Sequence, residues 1–264
     1  MSVSKISYCY HSHTKRCGHA IGNDEEYVLA AIKLGIKRLG FSDHVFLKGV
    51  DQPWMRGKFE MLDDYLSSIN YLKDKYKDKI EILAGFEAEY LPTHLETYEE
   101  LLETKKIDYL ILGQHIGEEN DGLVPYFYPS FSLKGLYRYG HDVVKGIESG
   151  LFTYLCHPDL FMNAYKRWDS NTIKVSKMIL EACEKYRVPI EINIGGMRHC
   201  GYNPIDHYPS NQFFQLSKKY KVEIVVGVDA HDPNDYNEED IAKALEFVKE
   251  NKLKINLDYV IKKD

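Results

Sequence analysis

No export signal is expected at the start of this sequence. Its first residues, MSVSKISYCYHSH, contain no charged region leading into an apolar core and a cleavage site. No later run approaches the ~20 apolar residues that a bilayer span requires. Cysteine is sparse: the five present, Cys9, Cys17, Cys156, Cys183 and Cys200, are odd in number and lack CxxC spacing, which argues against a disulfide framework or a zinc ribbon. Basic charge is not in excess either. A formal net charge of -6 over 264 residues argues against wrapping of a nucleic-acid backbone, which depends on many Lys and Arg releasing counterions. Linkers rich in proline or serine and low-complexity tracts are missing, so one domain over residues 1–264 is expected. A soluble protein of the reducing cytoplasm fits these absences.

What is present is a rhythm. Short β-branched and aromatic runs alternate with longer stretches of helical period, the pattern of strand-helix units and a parallel sheet. Strands are predicted at 6–10, 37–42, 80–87, 109–113, 152–156, 189–193 and 223–228. Helices are predicted at 24–34, 60–75, 94–104, 134–149, 171–186, 211–220 and 238–250. Asn23 or Asp24 can cap the first helix, and Gly35 and Gly150 supply left-handed stops. Seven such units, with a last short segment at 254–257, suit either a barrel or an open doubly wound sheet, and both place function at the carboxyl ends of the strands.

The residues that bind metals fall at those ends. His11, His13 and His19 follow the first strand, Asp43 and His44 the second, and Glu87 closes the third. His115 follows the fourth, His157 the fifth, and Asp229 and His231 the seventh. Residues two apart on an extended chain face one side, which pairs His11 with His13 and Asp229 with His231. So many imidazoles and carboxylates exceed one ion's needs, and two or three divalent ions (Zn, Mn or Fe) are expected. His94, His141, His199 and His207 are assigned no chemistry.

The strings YHSHTKRCGHA, GFSDH, GFEAEY, LGQHI, CHPD, EINIGGMR and GVDAH, in this order from His11 to His231, resemble the PHP family, named for polymerase and histidinol phosphatase, and within it the histidinol-phosphate phosphatases. The resemblance implies an α/β fold, a distorted (β/α)7 barrel of TIM-barrel-like form, with a trinuclear metal centre. It implies His11, His13, Glu87 and Asp229 around one ion, a bridging Glu87 with His115 and His157 around a second, and His19, His44 and His231 around a third. Asp43 is expected to orient an imidazole through its other nitrogen.

Such a centre would hydrolyse a phosphomonoester, because two ions ~3.5 to 4 Å apart can activate a shared water and a third can take a phosphoryl oxygen. Asp229 and His231 are the candidates for proton transfer to the leaving alcohol. Arg198, beside Gly195 and Gly196, is the first candidate for phosphate, with Arg16, Lys166 and Arg167 behind it. Two long loops, 116–132 and 159–169, are expected to shape substrate choice through Tyr126, Phe127, Tyr128, Phe131, Phe161, Tyr165 and Trp168, with Glu119 and Asp121 available to a substrate ammonium. Cys17 and Cys156 read as small buried hydrophobes. The resemblance implies L-histidinol phosphate as the substrate, in histidine biosynthesis. Phosphotyrosine protein, another small phosphomonoester, a nucleic acid, or a binding role with structural metals are the alternatives.

Overall fold

Strand-forming runs and helix-period stretches yield the alternation expected. In a computed structural model that describes residues 6–119, 122–126, 132–200 and 208–261, the strands are β1 (Tyr8–Cys9), β2 (Arg38–His44), β3 (Glu81–Ala88), β4 (Tyr109–Leu112), β5 (Ile116–Glu119), β6 (Gly122–Pro125), β7 (Ile190–Asn193) and β8 (Ile224–Gly227). The α-helices are α1 (Asp24–Leu34), α2 (Leu62–Tyr76), α3 (Leu95–Glu103), α4 (Leu133–Ser149), α5 (Met162–Tyr165), α6 (Ser170–Tyr186), α7 (Ile194–His199), α8 (Asn211–Ser217) and α9 (Glu238–Glu250).

The sheet is parallel and curled. β1 to β4 run side by side in order, and β7 pairs with β8. Between these two groups lies the segment predicted as the fifth strand. It forms only single bridges, Leu155 to Leu112 and Leu155 to Ile190, yet its backbone bonds both ways. Thr153 N–H donates to the Leu110 carbonyl at 2.8 Å, and Leu155 N–H to that of Pro189 at 2.9 Å. At the other seam Ser12 bridges Ala230, and His13 N–H donates to the Ala230 carbonyl at 2.8 Å. Lower down, Ser7 N–H reaches the Leu257 carbonyl and Asn256 N–H that of Ile224, which puts the 254–257 segment between β8 and β1.

Helix ends follow the local chemistry. Glu26 accepts from the N–H of Asn23 at 2.6 Å, Gly35 closes α1 in the left-handed region, and Gly150 does so for α4. Asp169, not Asn171, begins α6 by accepting from the N–H groups of Asn171 and Thr172. Each long helix buries one stripe, as α2 does with Tyr65, Ile69, Leu72 and Tyr76. Inside the sheet the Tyr109 ring fills the space beside Gly40 and Gly85, where any Cβ would lie 2.2 and 2.5 Å from it. Its hydroxyl lies 2.8 Å from the Tyr10 carbonyl and 3.0 Å from that of Phe41, stitching non-neighbouring strands.

Two segments read as loops are not. The first part of 116–132 folds into the antiparallel hairpin of β5 and β6, and 159–169 contains α5, while GGMRH belongs to α7. No helix among the described residues is long and apolar enough to cross a membrane.

Candidate metal centre

Parallel strands deliver their carboxyl ends to one side, and the metal-type residues arrive there together. His44 ends β2 and Glu87 lies near the end of β3, paired in register with it. His11 and His13 flank Ser12, Asp229 and His231 flank Ala230, and the bridge between those two centres brings all four side chains to the same place. His115 follows β4, and His157 follows the segment bridged at Leu155. His19 is brought in by a short 3-10 turn, Lys15–Cys17. His157 and Asp229 both sit in the left-handed region, with φ of 29° and 50°, a strain that non-glycine residues accept chiefly where the surrounding structure holds them.

Glu87 stands at the middle, 1 % exposed. Its Oε1 faces His157 Nε2 at 2.7 Å and His115 Nε2 at 3.4 Å. Its Oε2 faces His44 Nδ1 at 3.1 Å and the Nε2 atoms of His11 and His13 at 3.5 Å each. Asp229 Oδ1 lies 3.2 Å from His13 Nε2, 3.5 Å from His11 Nε2 and 3.5 Å from His231 Nδ1. The imidazoles stand against one another, with His13 and His231 ring centres 4.1 Å apart and His19 and His231 4.6 Å apart.

Burial and mutual charge divide the protonation states. Burial, aided by the neighbouring imidazoles, holds His44 well below the ordinary histidine value and His231 at about 4. His13 is lowered chiefly by burial, and His19 by burial and His231. Burial opposes charge on His11 and His115 too, but Glu191, Asp229 and Glu87 raise the first well above its ordinary value, and Glu87 and Glu89 raise the second. Glu87 and Asp229 stay well below the usual carboxylate range because the facing imidazoles outweigh burial.

Several of these atoms have no hydrogen-bond partner although buried: His11 Nε2, both ring nitrogens of His13, His44 Nδ1, Glu87 Oε2 and His231 Nε2. An orphaned buried polar atom costs ~1–3 kcal/mol, so a cluster of them at one point is unstable unless something satisfies it. Divalent cations fit the need. The ligand atoms of His11, His13 and Asp229, of His13, His44 and Glu87, of His19, His44 and His231, and of His11, Glu87, Cys156 and His157 each lie close enough together to hold an ion. Imidazole with carboxylate suits Zn, Mn and Fe.

Carboxylates stand behind the imidazoles. Asp43, pushed up to about 7 by burial, takes the Thr14 N–H at 2.7 Å and lies 3.8 Å from His13 Nδ1. Sequence reasoning missed the other two. Glu191, fully buried in β7, accepts from His11 Nδ1 at 2.9 Å and from Asn193 at 2.8 Å. Glu89 lies 3.3 Å from His115 Nδ1. Each had a visible signal: a carboxylate inside an apolar strand run, IEIN, and a second Glu two residues beyond Glu87. Cys156, 3.5 Å from Glu87 Oε1, and Cys17 are buried, and burial raises both thiols, that of Cys17 to about 12. Neither is available as a thiolate nucleophile in this state.

The cluster opens into a cavity of about 260 Å³ whose other walls are Trp54, Met55, Leu160, Asn163, His199 and Tyr208. No Lys or Arg is among its described lining residues. Here the structure departs from the sequence expectations. Arg198 donates to the carbonyls of Val228 at 2.9 Å and Asp229 at 2.8 Å and pairs with Asp235 and Asp240, so its guanidinium braces the end of β8. Arg16 pairs with Asp24 and Asp64, each at 2.8 Å. Arg167 lies over the Tyr165 ring, and Lys166 caps α5. Glu119 pairs with Arg138. Tyr126, Phe161 and Tyr165 are buried packing residues, and Trp168 packs on the core, because these loops fold against the molecule. Phe127, Tyr128, Phe131, Asp121 and His207 lie outside the described residues. His199, given no role, lines the cavity.

Comparison with known proteins agrees with this arrangement. The chain is 29 % identical over 232 residues to the "Probable histidinol-phosphatase" of Deinococcus radiodurans, covering 85 % of this chain and 86 % of that one. It is 24 % identical over 253 residues to the histidinol-phosphatase of Bacillus subtilis, covering 85 % and 93 %. Among solved structures, the histidinol phosphate phosphatase of Lactococcus lactis subsp. lactis, crystallised with zinc, L-histidinol and phosphate, superposes with a TM-score of 0.72 at 18 % identity over 95 % of each chain. The PHP domain pattern matches residues 10–195, the stretch that carries Glu87 and every histidine of the cluster except His231, and with the fold around it this places the chain in the PHP domain family.

Proposed function

We propose that this protein is a metal-dependent phosphomonoesterase that hydrolyses L-histidinol phosphate to L-histidinol and phosphate. The observation that carries the reading is Glu87, whose two oxygens address two separate sets of buried imidazoles, as a carboxylate bridging two ions would. Its relatives from Deinococcus radiodurans and Bacillus subtilis support the substrate. In this reading residues 1–264 form one domain, and the bonds at both seams of the sheet complete a distorted (β/α)7 barrel.

His11, His13, Glu87 and Asp229 would hold one ion, Glu87, His115 and His157 a second, and His19, His44 and His231 a third. Bound there, divalent ions supply Lewis acidity that makes water a nucleophile at neutral pH and offsets phosphoryl charge. No Lys or Arg among the described lining residues offers a fixed positive charge there. The chain's own residues position and move protons. Asp229, ionised and facing the cavity, takes the proton of the attacking water at Oδ2, the oxygen turned away from the His11 and His13 nitrogens, as the new P–O bond forms. It returns that proton, with His231 beside it, to the alkoxide released when the ester P–O bond breaks. Trp54, Leu160 and Tyr208 shelter the leaving group from bulk water.

Steady-state turnover of L-histidinol phosphate against a phosphotyrosine peptide, with Zn or Mn added to metal-free protein, tests the assignment. Turnover of the phosphoamino alcohol is expected to dominate. A more than tenfold preference for the peptide rejects it, and degradation of single-stranded DNA with Mn would point to a nuclease instead.

A further inference from the structure

One arginine is buried as deeply as the apolar core. Arg56 is 1 % exposed, on the connection between β2 and α2, and a guanidinium tolerates such a place only when its donors are met. They are met by an unusual set of partners. Nη2 and Nη1 reach the two oxygens of Glu89, itself fully buried, at 2.8 and 3.3 Å. Nη1 also donates to the Val45 carbonyl at 2.9 Å, and Nε to Gln52 Oε1 at 2.8 Å. Glu89 passes the connection on: its Oε1 lies 3.3 Å from His115 Nδ1, while His115 Nε2 faces Glu87 at 3.4 Å. The same stretch of chain carries Trp54 and Met55, which form part of the cavity wall.

We propose that Arg56 is a positioning residue for the site, setting the His115 ring through Glu89 and, through Val45 and Gln52, setting the loop that carries Trp54 and Met55. The proposal rests on the reading of the cluster as a metal centre. A carboxylate on one ring nitrogen fixes the tautomer and turns the other nitrogen outward as a ligand. Arg is suited to hold that carboxylate because its planar fork grips both oxygens, which a lysine ammonium cannot do. Metal affinity at His115 and the shape of the cavity wall thus depend on one side chain that touches neither ion nor substrate.

The test uses the full-length protein, purified metal-free, with Arg56→Lys and Glu89→Gln. Zinc affinity is read by competition with a chromophoric chelator, the His115 tautomer by its ring ¹⁵N shifts, and the fold by thermal unfolding without metal. In both variants a ~10–100-fold loss of affinity confined to one class of site is expected, the usual consequence of losing a carboxylate behind a ligating histidine. Read at a pH high enough for the ring to be neutral, the metal-free Glu89→Gln protein should show a mixture of His115 tautomers where the wild type shows Nδ1–H. If Arg56→Lys does not fold, Glu89→Gln decides alone. Folded variants with wild-type affinity and an unchanged tautomer overturn the proposal, as does an equal loss at every site. Wild-type protein that binds no zinc would instead remove the metal-centre reading beneath it.

Discussion

Replacing Glu87 by Gln keeps the shape of the side chain and removes the charge that both sets of imidazoles face. Turnover of L-histidinol phosphate is expected to fall ~100-fold or more, with loss of bound metal seen by elemental analysis and little change in the far-ultraviolet spectrum. Retained metal with full activity would contradict the bridging role. The histidines lead to a second expectation, because only neutral imidazole binds a metal. His13, His19, His44 and His231 lie below their ordinary value and carry no proton to lose at pH 7. His11 and His115 lie above it, so their protonated forms persist there and disappear as pH rises. Metal loading should therefore release protons from these two, and affinity should climb with pH through neutrality. Calorimetric titration at pH 7 in buffers of different protonation enthalpy measures this, and no net release would contradict it. At this scale the sequence was readable where position alone marked a residue for the cluster, as with His44 at the end of β2. It was not readable for Arg198, because whether a guanidinium faces phosphate or a backbone carbonyl depends on contacts from β8 and α9 that lie far along the chain.

Secondary structure elements were legible in proportion to their length. The long helices appear within a few residues of their expected limits, since many turns of apolar period average out local ambiguity. Short elements failed: α5 and α7 have too few residues to show a period, and the hairpin of β5 and β6 has strands too brief to show alternation. The fifth strand illustrates the opposite difficulty, because its apolar run is clear while its pairing is reduced to bridges at Leu155. Caps can be tested directly. Asp169→Ala removes the acceptor for the N–H groups of Asn171 and Thr172 at the start of α6. It should lower stability by about 1 kcal/mol in urea unfolding and leave turnover little changed, as Asp169 is not among the residues that line the cavity. A loss above about 3 kcal/mol would show that the loop before α6 depends on Asp169 for more than a cap.

For the whole molecule, stability and metal content should be linked. Ions bound by the native cluster and not by the unfolded chain add about 2.7 kcal/mol per site at a hundredfold excess over the dissociation constant. Chelation is thus expected to lower Tm by at least about 5 °C, and zinc to restore it. Equal melting with and without a chelator would count against ions in the buried cluster. The seam between Ser12 and Ala230 has a consequence for synthesis. His11 and His13 leave the ribosome more than 200 residues before Asp229 and His231 do, and the bridge that unites them needs both. Until that second pair has been made and has folded against the first, a nascent chain can hold only fragments of the cluster, so ions that need its whole ligand set would be bound late, from whatever pool the chain then meets.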